Sequence, residues 1–199
     1  MTLSEEVRIL GIDDFPHSRV SKGPVTVVCT LFRGSKLMDG LLSTTINYDG
    51  TGVTQKLTKL INSSKIKSQL HAIITDGVTF AGFNILDIKQ LNSKTKVPVI
   101  SVVRKKPNMS KISNALKHFD DYENRIKMIE NAGQVHEVQV TNHTLSKPKK
   151  IFFQCSGISV EEAQELIQLT SINGIVPEPI RISHLIGSGL FFGESKGRA

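Results

Sequence analysis

The residues with the most chemical promise are carboxylates that close apolar runs. Asp13-Asp14 ends the run over residues 7–12, and Asp76-Gly77 ends the run over residues 70–75. An acid at the carboxyl end of a buried strand, followed by glycine and a helix, stands at the mouth of an α/β sheet, where ligands bind. Two carboxylates within bridging distance repel unless a cation lies between them, and hard oxygen donors suit Mg²⁺ or Mn²⁺. Such ions lower the pKa of bound water and stabilise charge developing on a phosphodiester. Asp13 and Asp76 are the expected metal ligands, with Asp14 or Asp49 as a further oxygen donor. Turn chemistry is the competing explanation, because Asp-Gly at 49–50 and 76–77 is also what turns favour.

Cations are the second requirement of phosphate chemistry. Arg104-Lys105-Lys106 follows the apolar run over 97–103. If that strand lies parallel to the one ending at Asp76, its cations reach the same end of the sheet. They can hold a phosphate backbone there or form a solvated basic loop. In Pro177-Glu178-Pro179-x-Arg181-x-x-His184, Arg181 and His184 stand one helical turn apart on a single face. Aimed at one spot, they could bind a phosphate or assist a leaving group. Pairing of Arg181 with Glu178 would instead leave His184 on the helix surface. His17, Arg19 and Lys22 sit in a polar loop, and His136 and His143 read as surface residues. Nine Phe, two Tyr and no Trp give little base-stacking capacity. No Walker sequence, no Cys/His zinc spacing and no Gly-x-Ser-x-Gly elbow is present.

The elements that must position these groups follow from periodicity and punctuation. Strands are expected over 7–12, 25–33 and 41–48, with a turn over 34–38. A helix begins near Thr54, a strand covers 70–75, and apolar spacing predicts a helix over 80–91. After the strand over 97–103, Ser110 can cap one helix and Asp120 or Asp121 a second, which Gly133 ends. Two more strands cover 135–140 and 151–155. Ser159-x-x-Glu162 is a capping box opening a helix through Leu169, with Gly174 as its stop. The last helix should turn Ile180, Ile182, Leu185 and Ile186 inward. A three-strand antiparallel meander followed by alternating helices and parallel strands is the order of a ribonuclease H-like α/β sheet flanked by helices. In that architecture the first strand lies beside the fourth, so Asp13 and Asp76 meet.

A chain of 199 residues with 39% hydrophobic and 22% charged residues predicts one soluble globular domain over 1–199. A net charge of +7 and a pI near 9.5 favour an anionic partner such as nucleic acid. Cys29 and Cys155 both lie in apolar runs and read as buried free thiols, which suits a reducing cytoplasm. The acidic opening MTLSEEVRIL is unlike a signal peptide, and no apolar run approaches the roughly 20 residues that span a bilayer.

Several segments together resemble a mostly archaeal family, catalogued as domain of unknown function ninety-nine and grouped with endonuclease V. They are Gly11-Ile12-Asp13-Asp14, Arg33-Gly34, Asp76-Gly77-Val78-Thr79-Phe80-Ala81-Gly82-Phe83-Asn84, Pro98-Val99-Ile100, Pro177-Glu178-Pro179-Ile180-Arg181 and Gly193-Glu194-Ser195. The resemblance covers nearly the whole chain. It implies an endonuclease V-like, ribonuclease H-like fold and Mg²⁺-dependent cleavage of a phosphodiester near a deaminated base. It places Asp13 as the first-strand metal ligand, Asp76 as the fourth-strand ligand, Arg104 where endonuclease V has a lysine, and His184 near the site. Arg33 and Asn84, within the matching segments, join Lys105 and Arg181 as expected substrate contacts.

The chain also departs from endonuclease V. The helix over 54–64 has no acid to stand for its glutamate, leaving Asp49 as the nearby substitute. The histidine after the fourth-strand Asp-Gly is missing, and the Pro-Tyr wedge has no counterpart. The expectation is a Mg²⁺-dependent nuclease acting on DNA or RNA. Water attacks in line between Asp13 and Asp76, Arg104 or Lys105 steadies the phosphate, and His184 stands near the leaving oxygen. The alternatives are a nucleic-acid-binding protein that has lost catalysis, or a hydrolase of a small nucleotide-like phosphate.

Overall fold

The computed structural model describes residues 6–15 and 23–195. The basic loop residues His17, Arg19 and Lys22 lie outside these. Seven strands form one mixed sheet. β1 (Arg8–Asp14), β2 (Pro24–Arg33) and β3 (Leu37–Asn47) make the antiparallel meander at one side. The chain then crosses over through α1 (Val53–Ser63) and inserts β4 (Ala72–Asp76) parallel to β1. A second crossover, through α2 (Ile88–Thr95), places β7 (Val99–Val103) parallel to β4. α3 (Met109–Leu116) and α4 (Tyr122–Asn131) follow. The sheet then returns to antiparallel pairing with β8 (His136–Val140) and β9 (Lys149–Ser156). The spatial order β3-β2-β1-β4-β7-β9-β8, with helices on both faces, is ribonuclease H-like.

Both faces of the central strands are covered, so those strands are apolar on both sides. Leu10, Ile12, Ile73 and Val99 face α1 to α4 and pack with Leu57, Ile61, Leu91 and Leu116. Ile9, Ala72, Ile74, Ile100 and Val102 face the opposite way, against Leu166 and Ile167 of α5 (Val160–Thr170) and Ile180 of α6 (Glu178–Phe192). Because side chains alternate along a strand, Asp13 belongs to the α6 face and Asp14 to the α1–α4 face.

Several expectations change, among them the cap of α3, which is Asn108 and not Ser110. Residues 80–91 are not one helix. A hairpin of β5 (Thr79–Phe80) and β6 (Asn84–Ile85) turns at Ala81-Gly82 with φ of 42° and 84°. Asp87 then caps the shorter α2 by accepting from Gln90 N at 2.9 Å. Helical φ cannot continue through left-handed residues, and the buried Phe80, Ile85 and Leu86 imitate a helical spacing only in sequence. β3 begins at Leu37, within the predicted turn. The inner face of α6 is also not the expected one. Pro179, Ile180, Ser183, Gly187 and Ser188 are buried, whereas Ile182, Leu185 and Ile186 are only half-buried. Small residues let this helix lie close on β1 and β2.

The capping box at Ser159 and Glu162 is formed in full. Both cysteines are free, and burial pushes the Cys29 thiol up to about 12. Among the described residues, no helix is long and apolar enough to cross a membrane.

Candidate active site

Parallel pairing of Ile12 with Thr75 puts Asp13 and Asp76 at neighbouring strand ends. Asp13 is 5% exposed. Its Oδ1 accepts from Asp14 N at 2.9 Å, and its Oδ2 lies 3.0 Å from His184 Nδ1. With Asp13 ionised its carboxylate can only accept, and Nδ1 is then the donor of this contact. Asp76 is exposed at the rim, yet the surrounding protein displaces much of the water that would solvate its charge.

The electrostatics follow from this crowding. Burial raises the Asp13 pKa, the His184 hydrogen bond opposes it, and the Asp14 charge raises it further. Burial, then the Asp13 charge, pushes Asp76 up to about 6, against the pull of Arg104 and His184. The hydrogen bond to Asp13 raises His184, with burial opposing and the Asp13 and Asp76 charges adding to the rise. Two acids are thus held at a cost in mutual repulsion, with one imidazole bound to the deeper of them.

The placement of His184 is built into α6. Gly11 has no side chain where a Cβ would fall inside Pro179, so α6 rests directly on β1. Thr30 Oγ1 donates to Pro179 O at 2.7 Å, and Ser183 Oγ donates to Gly11 O at 3.1 Å. The residue after Ser183 is the histidine.

Other expected site residues are placed elsewhere or in other roles. Arg104 follows β7, whose Val102 pairs with Asp76, and its charge reaches both Asp76 and His184. Lys105 lies next to it at the same end of the sheet. Arg181 pairs with Glu178 in a two-point salt bridge, its Nε 2.8 Å from Oε2, as the competing reading of that segment expected. Arg33 lies opposite Arg8 at the far end of β1 from Asp13, bridged to Asp39 at 3.2 Å, and does not reach the acid pair. Asn84 is fully buried. Its Oδ1 accepts from Val53 N at 3.1 Å, which caps α1, and its Nδ2 donates to Asn47 O at 3.3 Å.

The two candidate third ligands are both occupied with the hairpin. Asp14 lies close enough for its charge to raise Asp13 and Asp76, but its Oδ2 accepts from Ala81 N at 3.1 Å. Asp49, with φ of 51°, accepts from Phe83 N at 2.9 Å and lies against Gly82. Among the described residues, no three His, Cys, Asp or Glu side chains converge as a metal-binding group. Asp13 and Asp76 remain a hard oxygen pair that fits Mg²⁺ or Mn²⁺. Mg²⁺ commonly takes one or two carboxylates and completes its shell with water and substrate phosphate.

Sequence reasoning missed two features. On the other face of the same sheet end is a cavity of about 400 Å³, whose lining includes Gly77, Val103, Ile112 and Lys105. Ser101 and Gln154, paired across β7 and β9, supply its polar floor. The signal was a polar residue at an inward position in each of two apolar runs. The second feature is Arg125, a charged residue buried in α4 beside the helix's apolar positions.

A curated relative from Methanothermobacter thermautotrophicus, a UPF0215 protein, is 41% identical over 99% of this chain and 94% of its own length. The crystal structure of a protein of unknown function from Archaeoglobus fulgidus superposes with a TM-score of 0.80. It is 35% identical and covers 92% of this chain and 98% of that one. Endonuclease V from Ciona intestinalis, solved with DNA containing an inosine followed by a ribo-adenosine, superposes with a TM-score of 0.60 over 94% of this chain and 87% of that one. At 12% identity this last likeness establishes the fold alone. The family model of endonuclease dU matches residues 5–191, and the chain belongs to that family.

Proposed function

We propose that the chain is a metal-dependent endonuclease that cleaves a phosphodiester in DNA or RNA. The observation that carries this reading is the convergence of Asp13 and Asp76 at neighbouring parallel strand ends, with His184 bonded to Asp13. The family name and the fold shared with endonuclease V support a nuclease, and the name directs attention to deoxyuridine in DNA.

Asp13 and Asp76 would hold the ion, and His184 orients Asp13 through the Nδ1 hydrogen bond. Mg²⁺ or Mn²⁺ held by this pair would supply an activated water and charge neutralisation at the phosphate. Arg104 and Lys105, at the end of β7, steady the phosphate from the neighbouring strand. His184, whose pKa the Asp13 hydrogen bond raises, is the side chain placed to act as general acid towards the leaving oxygen. The cavity behind Gly77 offers space for a base turned out of its stack beside the scissile bond.

A nucleic-acid-binding protein without catalysis is favoured by one observation, the engagement of Asp14 and Asp49 with the hairpin in place of a third ligand. One experiment separates the readings. Purified protein is incubated with single- and double-stranded oligonucleotides carrying deoxyuridine or deoxyinosine, with Mg²⁺, Mn²⁺ or chelator. Asp13→Ala serves as the control for contaminating nucleases. Metal-dependent cleavage lost in that variant supports the nuclease. Binding without cleavage under any metal supports the second reading.

A further inference from the structure

Arg125 is a cation in a buried position, where apolar side chains usually stand. Only 6% of it is exposed. Its guanidinium carbon lies 4.2 Å from the centroid of the Phe119 ring, and Nε pairs with Asp121 Oδ1 at 2.7 Å. Nη1 donates to the carbonyl oxygens of Gly50, at 3.2 Å, and Phe83. Burying a guanidinium against two backbone carbonyls and one half-exposed acid is costly unless the geometry it fixes is needed. The two carbonyls belong to segments 33 residues apart in sequence, the loop after β3 and the β5–β6 hairpin. Arg125 ties one to the other.

Those segments are already laced together. Asp49 N donates to Ala81 O at 2.8 Å, while Phe83 N donates back to Asp49 Oδ1 at 2.9 Å. Phe83 also meets Phe119 edge-on, with ring centroids 5.8 Å apart. Asp49 and Ala81 both hold positive φ, a conformation that is strained for a residue with a side chain and persists only when the surroundings impose it. The braced hairpin is bonded to β1, the strand bearing Asp13, from Ala81 N to Asp14 Oδ2 at 3.1 Å. Asp14 N in turn donates to Asp13 Oδ1. Asp13 is therefore fixed on one oxygen by His184 and on the other through Asp14, whose side chain the hairpin holds.

We propose that Arg125 is a positioning residue for the acid pair, acting through the β5–β6 hairpin and Asp14 to fix the carboxylate of Asp13. The proposal rests on the nuclease reading above for its consequence in catalysis, but its first readout does not need cleavage. Asp49, the residue offered by sequence as a third ligand, serves in this brace. Lysine replaces Arg125 only in part, because an ammonium has neither the planar fork that sends Nε to Asp121 while Nη1 reaches the carbonyls nor the plane that stacks on Phe119.

The test compares wild type with Arg125→Lys, Arg125→Met and a destabilised control, Leu116→Ala, which removes a buried α3 side chain that makes none of these hydrogen bonds. Mn²⁺ affinity is measured by electron paramagnetic resonance without nucleic acid, amide exchange at Ala81 by NMR, and kcat and KM on a cleaved oligonucleotide. Arg125→Met is expected to exchange Ala81 faster and to bind Mn²⁺ more weakly by about tenfold. Its kcat should fall by roughly ten- to a hundredfold with KM nearly unchanged, as for a misplaced reacting group. Arg125→Lys should fall between, and Leu116→Ala should keep Mn²⁺ affinity and kcat whatever its loss in Tm. Wild-type Mn²⁺ affinity and kcat in Arg125→Met would overturn the proposal, as would equal losses in Leu116→Ala. A wild type that binds Mn²⁺ but cleaves nothing removes the nuclease reading and leaves the brace to be judged on Mn²⁺ affinity. A wild type that binds no Mn²⁺ overturns both.

Discussion

Asp13 Oδ2 and His184 Nδ1 lie 3.0 Å apart although 171 positions separate them in the chain. The contact exists because α6 rests on a glycine. Gly11→Ala puts a methyl group into Pro179 and must lift the start of α6 from β1. Overpacking of this kind costs about 1–3 kcal/mol. The expected outcome is a lower melting temperature together with loss of cleavage, measured on the same preparation. A variant that melts lower but cleaves at the wild-type rate would show that the Asp13–His184 contact is dispensable.

Asp76→Asn removes one of the two repelling charges and one of the two proposed metal ligands. The fold should keep or gain stability, because the lost carboxylate is destabilised by burial and by Asp13. Metal-dependent cleavage should fall by on the order of a thousandfold or more, as for removal of a central catalytic group. Melting curves and cleavage assays on one sample check both halves of this expectation.

The pH dependence of the metal-free protein has a definite sign. Asp76 has its folded pKa raised to about 6 from 3.8, so between these values the folded state binds more protons than the unfolded one. Stability therefore falls as pH rises through that window. His184 is also raised, so its contribution is fully present below 6.5 and is lost as pH climbs through its folded pKa. In chelator, Tm should decline from acid to neutral pH. Saturating Mn²⁺ should oppose this decline, with a larger stabilisation at higher pH, because ligands must be deprotonated to bind. A metal-induced shift in Tm that is largest in acid would contradict the acid pair as the site.

Arg181 and Arg104 should separate cleanly. Arg181→Gln leaves the buried Glu178 without its two-point partner and should cost about 1–3 kcal/mol of stability while sparing cleavage. Arg104→Gln should instead weaken nucleic-acid binding and reduce the slope of log K against log salt by about one. Equal salt slopes in wild type and Arg104→Gln would remove Arg104 from the phosphate track.

The acid pair was legible because both acids end apolar runs, and a crossover after a meander makes those runs neighbours. Ser159-x-x-Glu162 was legible because a capping box is local. The hairpin was not. Positive φ at Ala81 has no signature in residue type, and the bonds that impose it come from Asp49 and Arg125, far away in sequence. Asp49 looked like a ligand for the same reason, since an acid before a glycine is written alike whether it binds a metal or an amide. Arg125, among the polar residues of YENRIKMIEN, carries no mark of burial in that segment.

α6 follows every strand of the sheet in chain order. During synthesis, the two acids leave the ribosome and can settle side by side while the histidine is still to be translated. A nascent or C-terminally shortened chain then carries the acid pair but not the group that orients and titrates with it. Emergence of α6, rather than formation of the sheet, is the event that brings His184 to the acids.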